Sequence, residues 1–159
     1  MNKRALVKKI IAHLTGELAL YHKAALSARA DATDPQSRAE HKYDTRGLEA
    51  SYLARGQSRQ AAETEQNLEQ FEKLVVRAFG PQEAIDLSAL VELDGKEGRA
   101  FYFIAPAAGG TEVIHEKQEV LVITPQSPLG QQLVGRKQGE RLRLAMGGGQ
   151  HDYRVVSVH

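Results

Sequence analysis

The chain has 159 residues, room for one ordinary domain or two small ones, with no cysteine and a formal net charge of +1. The lack of cysteine excludes disulfides and thiolate metal sites, and the small net charge does not by itself indicate a nucleic-acid or membrane partner. No segment is long and apolar enough to cross a bilayer, and the N-terminus lacks the continuous apolar core of a signal peptide. We therefore expect a cytoplasmic protein with no membrane partner.

Residues 1–79 are predicted to form two long helices. Apolar or small residues recur every three or four positions along 3–30, which places them on one helix face. A similar seam runs from Tyr43 to Ala78, with large apolar residues towards the chain ends. The small seam residues, which let the helices approach closely, lie near the tip and are Ala28, Gly47, Ala50 and Ala54. One short break containing Pro35 separates the two segments, so we expect an antiparallel helical hairpin about 40 Å long with its tip at about 31–44.

The base of this hairpin is expected to supply most of its stability, because large apolar residues are concentrated there. These residues are Leu6, Ile10, Leu68, Phe71, Val75 and Phe79.

The composition changes at Gly80, after which ten of the 14 glycines and four of the five prolines occur. Alternating and β-branched runs predict five strands, separated by glycine-rich turns, at 87–93, 99–106, 111–125, 140–146 and 151–159. Within 127–139 we expect a short helix with Ser127 as its N-cap and Pro128 as its first residue. The predicted fold class is α+β, with a helical hairpin (1–79) followed by a small antiparallel β domain (80–159).

The stretch VLVITPQSPLGQQLVGRKQGERLRL, followed by a glycine turn and HDYRVVSV, resembles the C-terminal half of the Gre transcript-cleavage factors. The preceding hairpin extends this resemblance over nearly the whole chain. It implies an FKBP-like C-terminal domain without prolyl isomerase activity, which docks on bacterial RNA polymerase at the rim of the secondary channel, on the largest subunit. The residues implied for docking are Pro125, Ser127, Pro128 and Leu129, and the hairpin is implied to enter the channel.

The resemblance also implies a role for the tip. Gre factors carry an Asp and, three residues later, a Glu, which lend carboxylates to the weakly held Mg²⁺ of the polymerase during hydrolysis of backtracked RNA. Aligning DPQSRAE with this pattern puts Asp34 at the first acidic position and Ser37 at the second. Asp34 is thus the implied Mg²⁺ ligand in the complex, assisted by Asp31, Glu40 and Asp44. The protein would have no cofactor of its own and would not be an enzyme.

Each tip feature also has a purely structural interpretation. Aspartate followed by proline is a common helix start. Arg38, Lys42 and Arg46, spaced i, i+4 and i+8, predict a basic stripe that either is a solvated helix face or faces the 3′ end of extruded RNA.

Three functions remain open from the sequence. The first is stimulation of transcript cleavage by polymerase. The second keeps polymerase binding without the chemistry, because Ser37 stands where a carboxylate is expected, and the factor would then inhibit or modulate transcription. The third is a structural adaptor that dimerises through its hairpin, although we expect a monomer.

Overall fold

The computed structural model describes residues 1–40 and 45–159, with the backbone alone for Met146. Lys42 and Asp44 of the predicted tip lie outside the described residues. The helices are α1 (Lys3–Thr33), α2 (Arg46–Glu72) and α3 (Pro128–Leu133), and a single 3₁₀ turn spans Pro35–Ser37. The strands are β1 (Leu90–Gly95), β2 (Gly98–Ile104), β3 (Glu112–His115), β4 (Gln118–Ile123), β5 (Arg141–Met146) and β6 (Gly149–Val158). The chain forms two compact units, one of residues 12–68 and one of residues 1–11 together with 69–159.

In the first unit, α1 and α2 run antiparallel. His22 Nε2 lies 3.3 Å from Glu65 Oε1, and an ideal Cβ on Gly47 would lie 3.9 Å from the carbonyl oxygen of Ala32. Small residues line the seam towards the tip, where Ala28 is buried. Leu20, Leu26 and Tyr52, in contrast, are exposed. The predicted antiparallel hairpin with a small-residue seam is confirmed.

The predicted base of the hairpin is partly wrong. Helix α2 ends at Glu72, and Val75 is 78% exposed instead of lying on the seam. Phe79 is buried, but in the core of the second unit. The β-branched pair of Val75 and Val76 has low helix propensity, which favours an early end of α2.

The second unit contains one six-stranded sheet in the order β3-β4-β2-β1-β6-β5. The predicted strand 111–125 is two strands, because Glu116 and Lys117 adopt positive φ values of 49° and 67° and reverse the chain between β3 and β4. Four neighbouring pairs are antiparallel, as predicted, whereas β2 and β4 pair in parallel. The fold class, a helical hairpin followed by a small sheet with one short helix, is confirmed.

One face of the sheet carries the core, and α3 packs on it. Buried members of this core are Ile85, Val91, Leu93, Tyr102, Ile104, Ile123, Leu133, Leu144 and Val155. On the opposite face, the β3–β4 side is covered by the start of α1, where Leu6 and Ile10 are buried. The Asn2 N–H donates to Glu116 Oε1 at 3.0 Å and Lys9 Nζ donates to the carbonyl oxygen of Ile114 at 2.9 Å, which fixes this docking.

On the remaining strands, side chains alternate between the two faces, and many of those on the face opposite the core are charged. On β1, β5 and β6 that face carries the charged side chains of Glu92, Asp94, Arg141, Arg143, Asp152 and Arg154. The sheet therefore has one apolar face and one face that is half apolar and half charged.

The segment between α2 and β1 is held by the first turn of α1. Lys3 Nζ donates to the carbonyl oxygens of Arg77 and Ser88, the latter at 3.0 Å, and lies 4.8 Å from the centre of the Phe79 ring. Ser88 is fully buried with a positive φ of 68°, and its Oγ accepts the N–H of Arg77 at 3.2 Å. This segment is thus fixed by polar contacts that the periodicity of the sequence does not reveal.

Burial, with the Arg77 guanidinium as a second cause, lowers the pKa of Lys3 from 10.5 to about 8. The unfolded chain therefore binds more protons at this residue between about pH 8 and pH 10.5, so its contribution makes folding more favourable as pH rises through that window. We expect the ¹³Cε resonance of Lys3 to titrate near pH 8 in the folded protein and at the ordinary value in urea. Equal midpoints in the two states would contradict this prediction.

Candidate functional site

The predicted acidic tip is built around the 3₁₀ turn that follows α1. Asp31 lies exposed in the last turn of α1. Asp34 caps the 3₁₀ turn, and its Oδ1 accepts the N–H of Gln36 at 2.8 Å. Thr33 Oγ1 donates back to the carbonyl oxygen of Arg29, one turn earlier in α1, at 3.0 Å. The aspartate–proline pair thus starts a single turn of 3₁₀ helix, and α2 begins only at Arg46.

The carboxylates of this tip are exposed, so they are accessible to a partner. Asp31, Asp34 and Glu40 are all exposed. Within residues 1–40 and 45–159, no three His, Cys, Asp or Glu side chains are grouped so that they could hold a metal ion. The role of these carboxylates in binding Mg²⁺ therefore stays a prediction.

Arg38 and Arg46, the two described members of the predicted basic stripe, do not lie on one helix. Arg38 is the C-cap of the 3₁₀ turn in extended conformation, with φ −61° and ψ 142°. Arg46 is the first residue of α2, and Lys42 is outside the described part. The predicted helical spacing from Arg38 to Arg46 is wrong, because the chain is not helical at Arg38; contact with RNA stays a prediction.

The second candidate region is the loop from Thr124 to Gln131, which belongs to the sheet unit. Ser127 Oγ donates to the carbonyl oxygen of Thr124 at 2.7 Å and accepts the N–H of Gly130 at 3.0 Å. The side-chain amide of Gln131 donates to the carbonyl oxygen of Gln126 at 3.0 Å. The predicted N-cap at Ser127 and the first helical position of Pro128 are confirmed. Side-chain bonds thus close the loop near both of its ends.

The four residues implied for docking differ in their exposure. Pro128 is exposed, and Pro125 and Ser127 are half-buried. Leu129 is also half-buried, and part of its side chain packs against the core of the sheet and so anchors the loop there. The loop brings these four residues together, but their contact with polymerase stays a prediction.

Gly130 is a determinant of this loop that sequence reasoning missed. An ideal Cβ at this position would lie 1.8 Å from the carbonyl oxygen of Thr124 and 2.9 Å from Ser127 Oγ. Only glycine fits such an approach of backbone to backbone. The sequence does contain a signal for this role of Gly130, namely the order Ser-Pro-x-Gly. The N–H that Ser127 caps belongs to Gly130, and a glycine inside a helix is unusual enough to need a reason.

Within the described residues, no helix combines the length and apolarity needed to cross a membrane.

No model of a protein family matches the chain. Its sequence is 28% identical over 124 residues, 74% of this chain and 72% of the relative, to the transcription inhibitor protein Gfh1 of Thermus aquaticus. The same identity and coverage are found with the Gfh1 protein of Thermus thermophilus.

Solved structures with similar folds were also found. The crystal structure of Thermus aquaticus Gfh1 gives a TM-score of 0.42 at 23% identity, covering 93% of this chain and 92% of that one. The transcription elongation factor GreA/GreB of Nitrosomonas europaea gives 0.36 at 18% identity, covering 60% and 78% of the two chains. From the sequence match, the chain is homologous to the transcription inhibitor protein Gfh1 over 74% of its length.

Proposed function

We propose that this protein binds bacterial RNA polymerase at the secondary channel and inhibits transcription without stimulating transcript cleavage. The homology to a transcription inhibitor carries this proposal. The sheet unit would dock through the loop around Pro128, and the tip around Asp34 would approach the Mg²⁺ of the polymerase. The protein would act on the enzyme as a cofactor-like regulator and would have no catalytic activity of its own.

The tip supports inhibition over cleavage for two reasons. Ser37 stands where the resemblance expects the second carboxylate, so the pair that would hold an additional Mg²⁺ is incomplete. In addition, Asp34 Oδ1 already accepts the N–H of Gln36, so one of its oxygens has an intramolecular partner. A single partly engaged carboxylate is a weak ligand for Mg²⁺, which is usually bound through one or two carboxylates together with substrate oxygens.

The test separates docking from action at the tip. Pro128→Glu changes the exposed surface of the loop, and glutamate is favourable in a first helical turn. We expect this variant to lose both binding to RNA polymerase in a pull-down and inhibition of RNA synthesis. Asp34→Ser removes the carboxylate while retaining a good capping residue, and should bind normally but inhibit several-fold less.

The matched control is Asp34→Asn, which retains the cap and nearly the size of the side chain but not its charge. It should behave like Asp34→Ser if the charge matters, and like the wild type if only the shape of the tip matters. Failure of the wild type to bind polymerase would overturn the proposal as a whole. Faster cleavage of backtracked RNA by the wild type would instead support the cleavage hypothesis.

A further inference from the structure

Among the described residues, each edge of the sheet has one side-chain bond to its outward backbone groups. At the β3 edge, Lys9 Nζ of α1 donates to the carbonyl oxygen of Ile114 at 2.9 Å. At the β5 edge, one contact of this kind exists near the end of the strand, where Gln132 Oε1 accepts the N–H of Ala145 at 3.2 Å. This contact lies at the opposite end of β5 from Arg141.

The backbone of β5 presents free hydrogen-bonding groups at this edge. Ladder bonds of an antiparallel pair alternate, so every second residue points its N–H and C=O away from the partner strand. The N–H of Ala145 bonds to Gln132 and so lies outside the ladder with β6, and the same direction follows for Arg143 and Arg141. No side chain in the described part of the chain bonds to the N–H of either arginine.

The side chains of these two residues give the edge a positive charge. Both are exposed and lie on the charged face of the sheet. Arg143 Nε donates to Asp152 Oδ1 at 3.0 Å, whereas Arg141 stands directly opposite Arg154. Arg141 and Arg154 form a non-hydrogen-bonded pair of the ladder, the kind in which the two side chains lie closest. Two positive charges at such a pair destabilise the sheet. Among the described residues, neither Arg141 nor Arg154 forms an ion pair.

The chemistry of the edge selects among possible occupants. A second copy of the chain pairing through β5 would place arginines against arginines, which is a known means of preventing association at an edge. A nucleic-acid strand could contact the guanidinium groups but has no regular backbone donors for the outward carbonyl oxygens. An extended peptide satisfies both sets of groups, and its alternate side chains lie about 5 Å from Arg141 and Arg143 on the same face.

We propose that the β5 edge binds an extended segment of a partner protein that carries acidic side chains at alternate positions, by adding it as a seventh strand. One carboxylate pairs with Arg141 and offsets its repulsion with Arg154, which Asp94 of β1 faces from the other side. A second carboxylate pairs with the guanidinium of Arg143 beside its existing bond to Asp152. The outward N–H and C=O groups of β5 continue the ladder into the added strand. This surface is separate from the loop around Pro128 and does not depend on binding to polymerase.

The probe is a short capped peptide that alternates aspartate with valine, added to the full-length protein. We expect amide hydrogen exchange at Arg141 and Arg143, followed by NMR, to slow about tenfold at saturation, because both N–H groups become bonded. Shifts of the arginine side chains without slower amide exchange would overturn strand addition. Tighter binding of an oligothymidylate than of the peptide would overturn the proposal in favour of a nucleic-acid surface.

Variants separate the charge from the backbone. Arg141→Glu gains an opposite charge across from Arg154, so it should fold, bind the aspartate peptide about tenfold more weakly, and bind a lysine–valine peptide instead. Arg4→Glu, the same change at an exposed position of α1, should alter affinity by less than about twofold.

Proline is tolerated where an edge-strand N–H faces solvent, so Arg143→Pro should fold and bind more weakly than Arg143→Ala. Equal affinity of the last two variants would show that the N–H is unused and would overturn the proposal.

Discussion

Replacing Gly130 by alanine should lower the free energy of unfolding of the sheet unit by about 3 kcal/mol or more. The added methyl group would lie 1.8 Å from the carbonyl oxygen of Thr124, and this neighbour is backbone that cannot rotate away. Relieving the clash requires moving the start of α3, which breaks the bonds from Ser127 Oγ to Thr124 and from the Gly130 N–H to Ser127. Urea unfolding, monitored by amide signals of the sheet, measures the loss.

The control is the same substitution at Gly16, within α1, where no atom lies within 4 Å of an ideal Cβ. Alanine there should stabilise the hairpin unit by about 0.5–1 kcal/mol, because glycine is a poor helix former. The same glycine-to-alanine change is thus expected to lower the free energy of unfolding at Gly130 and to raise it at Gly16. A Gly130→Ala protein within about 0.5 kcal/mol of the wild type would mean that the loop can rearrange, and that the close approach of Thr124 to Gly130 is not what positions Pro128.

The main architecture could be predicted because it depends on periodicity. Helical spacing gives the hairpin, and the change at Gly80 gives the start of the sheet-forming segment. Ser127 and Pro128 were also predictable, since a cap and a first-turn proline act within a few residues of the chain.

The features of the fold that could not be predicted from the sequence depend on contacts between segments that are distant in the chain. Val75 continues the helical spacing, yet it is exposed after α2 has ended, while Phe79 joins the core of the sheet. The start of α1 contacts segments far along the chain, through Lys3 to Arg77 and Lys9 to Ile114. The parallel pairing of β2 with β4 is likewise invisible in the composition of either strand.

The candidate site was only partly predictable for a similar reason. The sequence places acidic residues near a turn, but the spacing from Arg38 to Arg46 holds on one helix face only if the intervening chain is helical. Arg38 is extended, and the arrangement therefore differs from the helical pattern. Gly130 was missed because its importance comes from the approach of the carbonyl oxygen of Thr124, which no local pattern encodes.

Substituting Ser37 by glutamate should convert the proposed inhibitor into a factor that stimulates transcript cleavage. Ser37 is the last residue of the 3₁₀ turn that Asp34 caps, and its N–H bonds to the carbonyl oxygen of Asp34 at 2.9 Å. With about three residues per turn, positions 34 and 37 lie on the same side, so the new carboxylate would stand beside Asp34. Two neighbouring carboxylates bind a divalent cation more strongly than one, because the cation relieves their mutual repulsion.

The expected result is faster hydrolysis of the RNA in backtracked polymerase complexes, by roughly tenfold or more over the wild-type protein at equal occupancy. Ser37→Gln has the same size as the glutamate variant without its charge, and should leave the rate at the wild-type value. Adding Asp34→Ser to Ser37→Glu should abolish the gain, because one carboxylate again remains. If the glutamine variant accelerates cleavage equally, the effect comes from the shape of the tip; if neither variant does, the missing carboxylate is not what prevents cleavage.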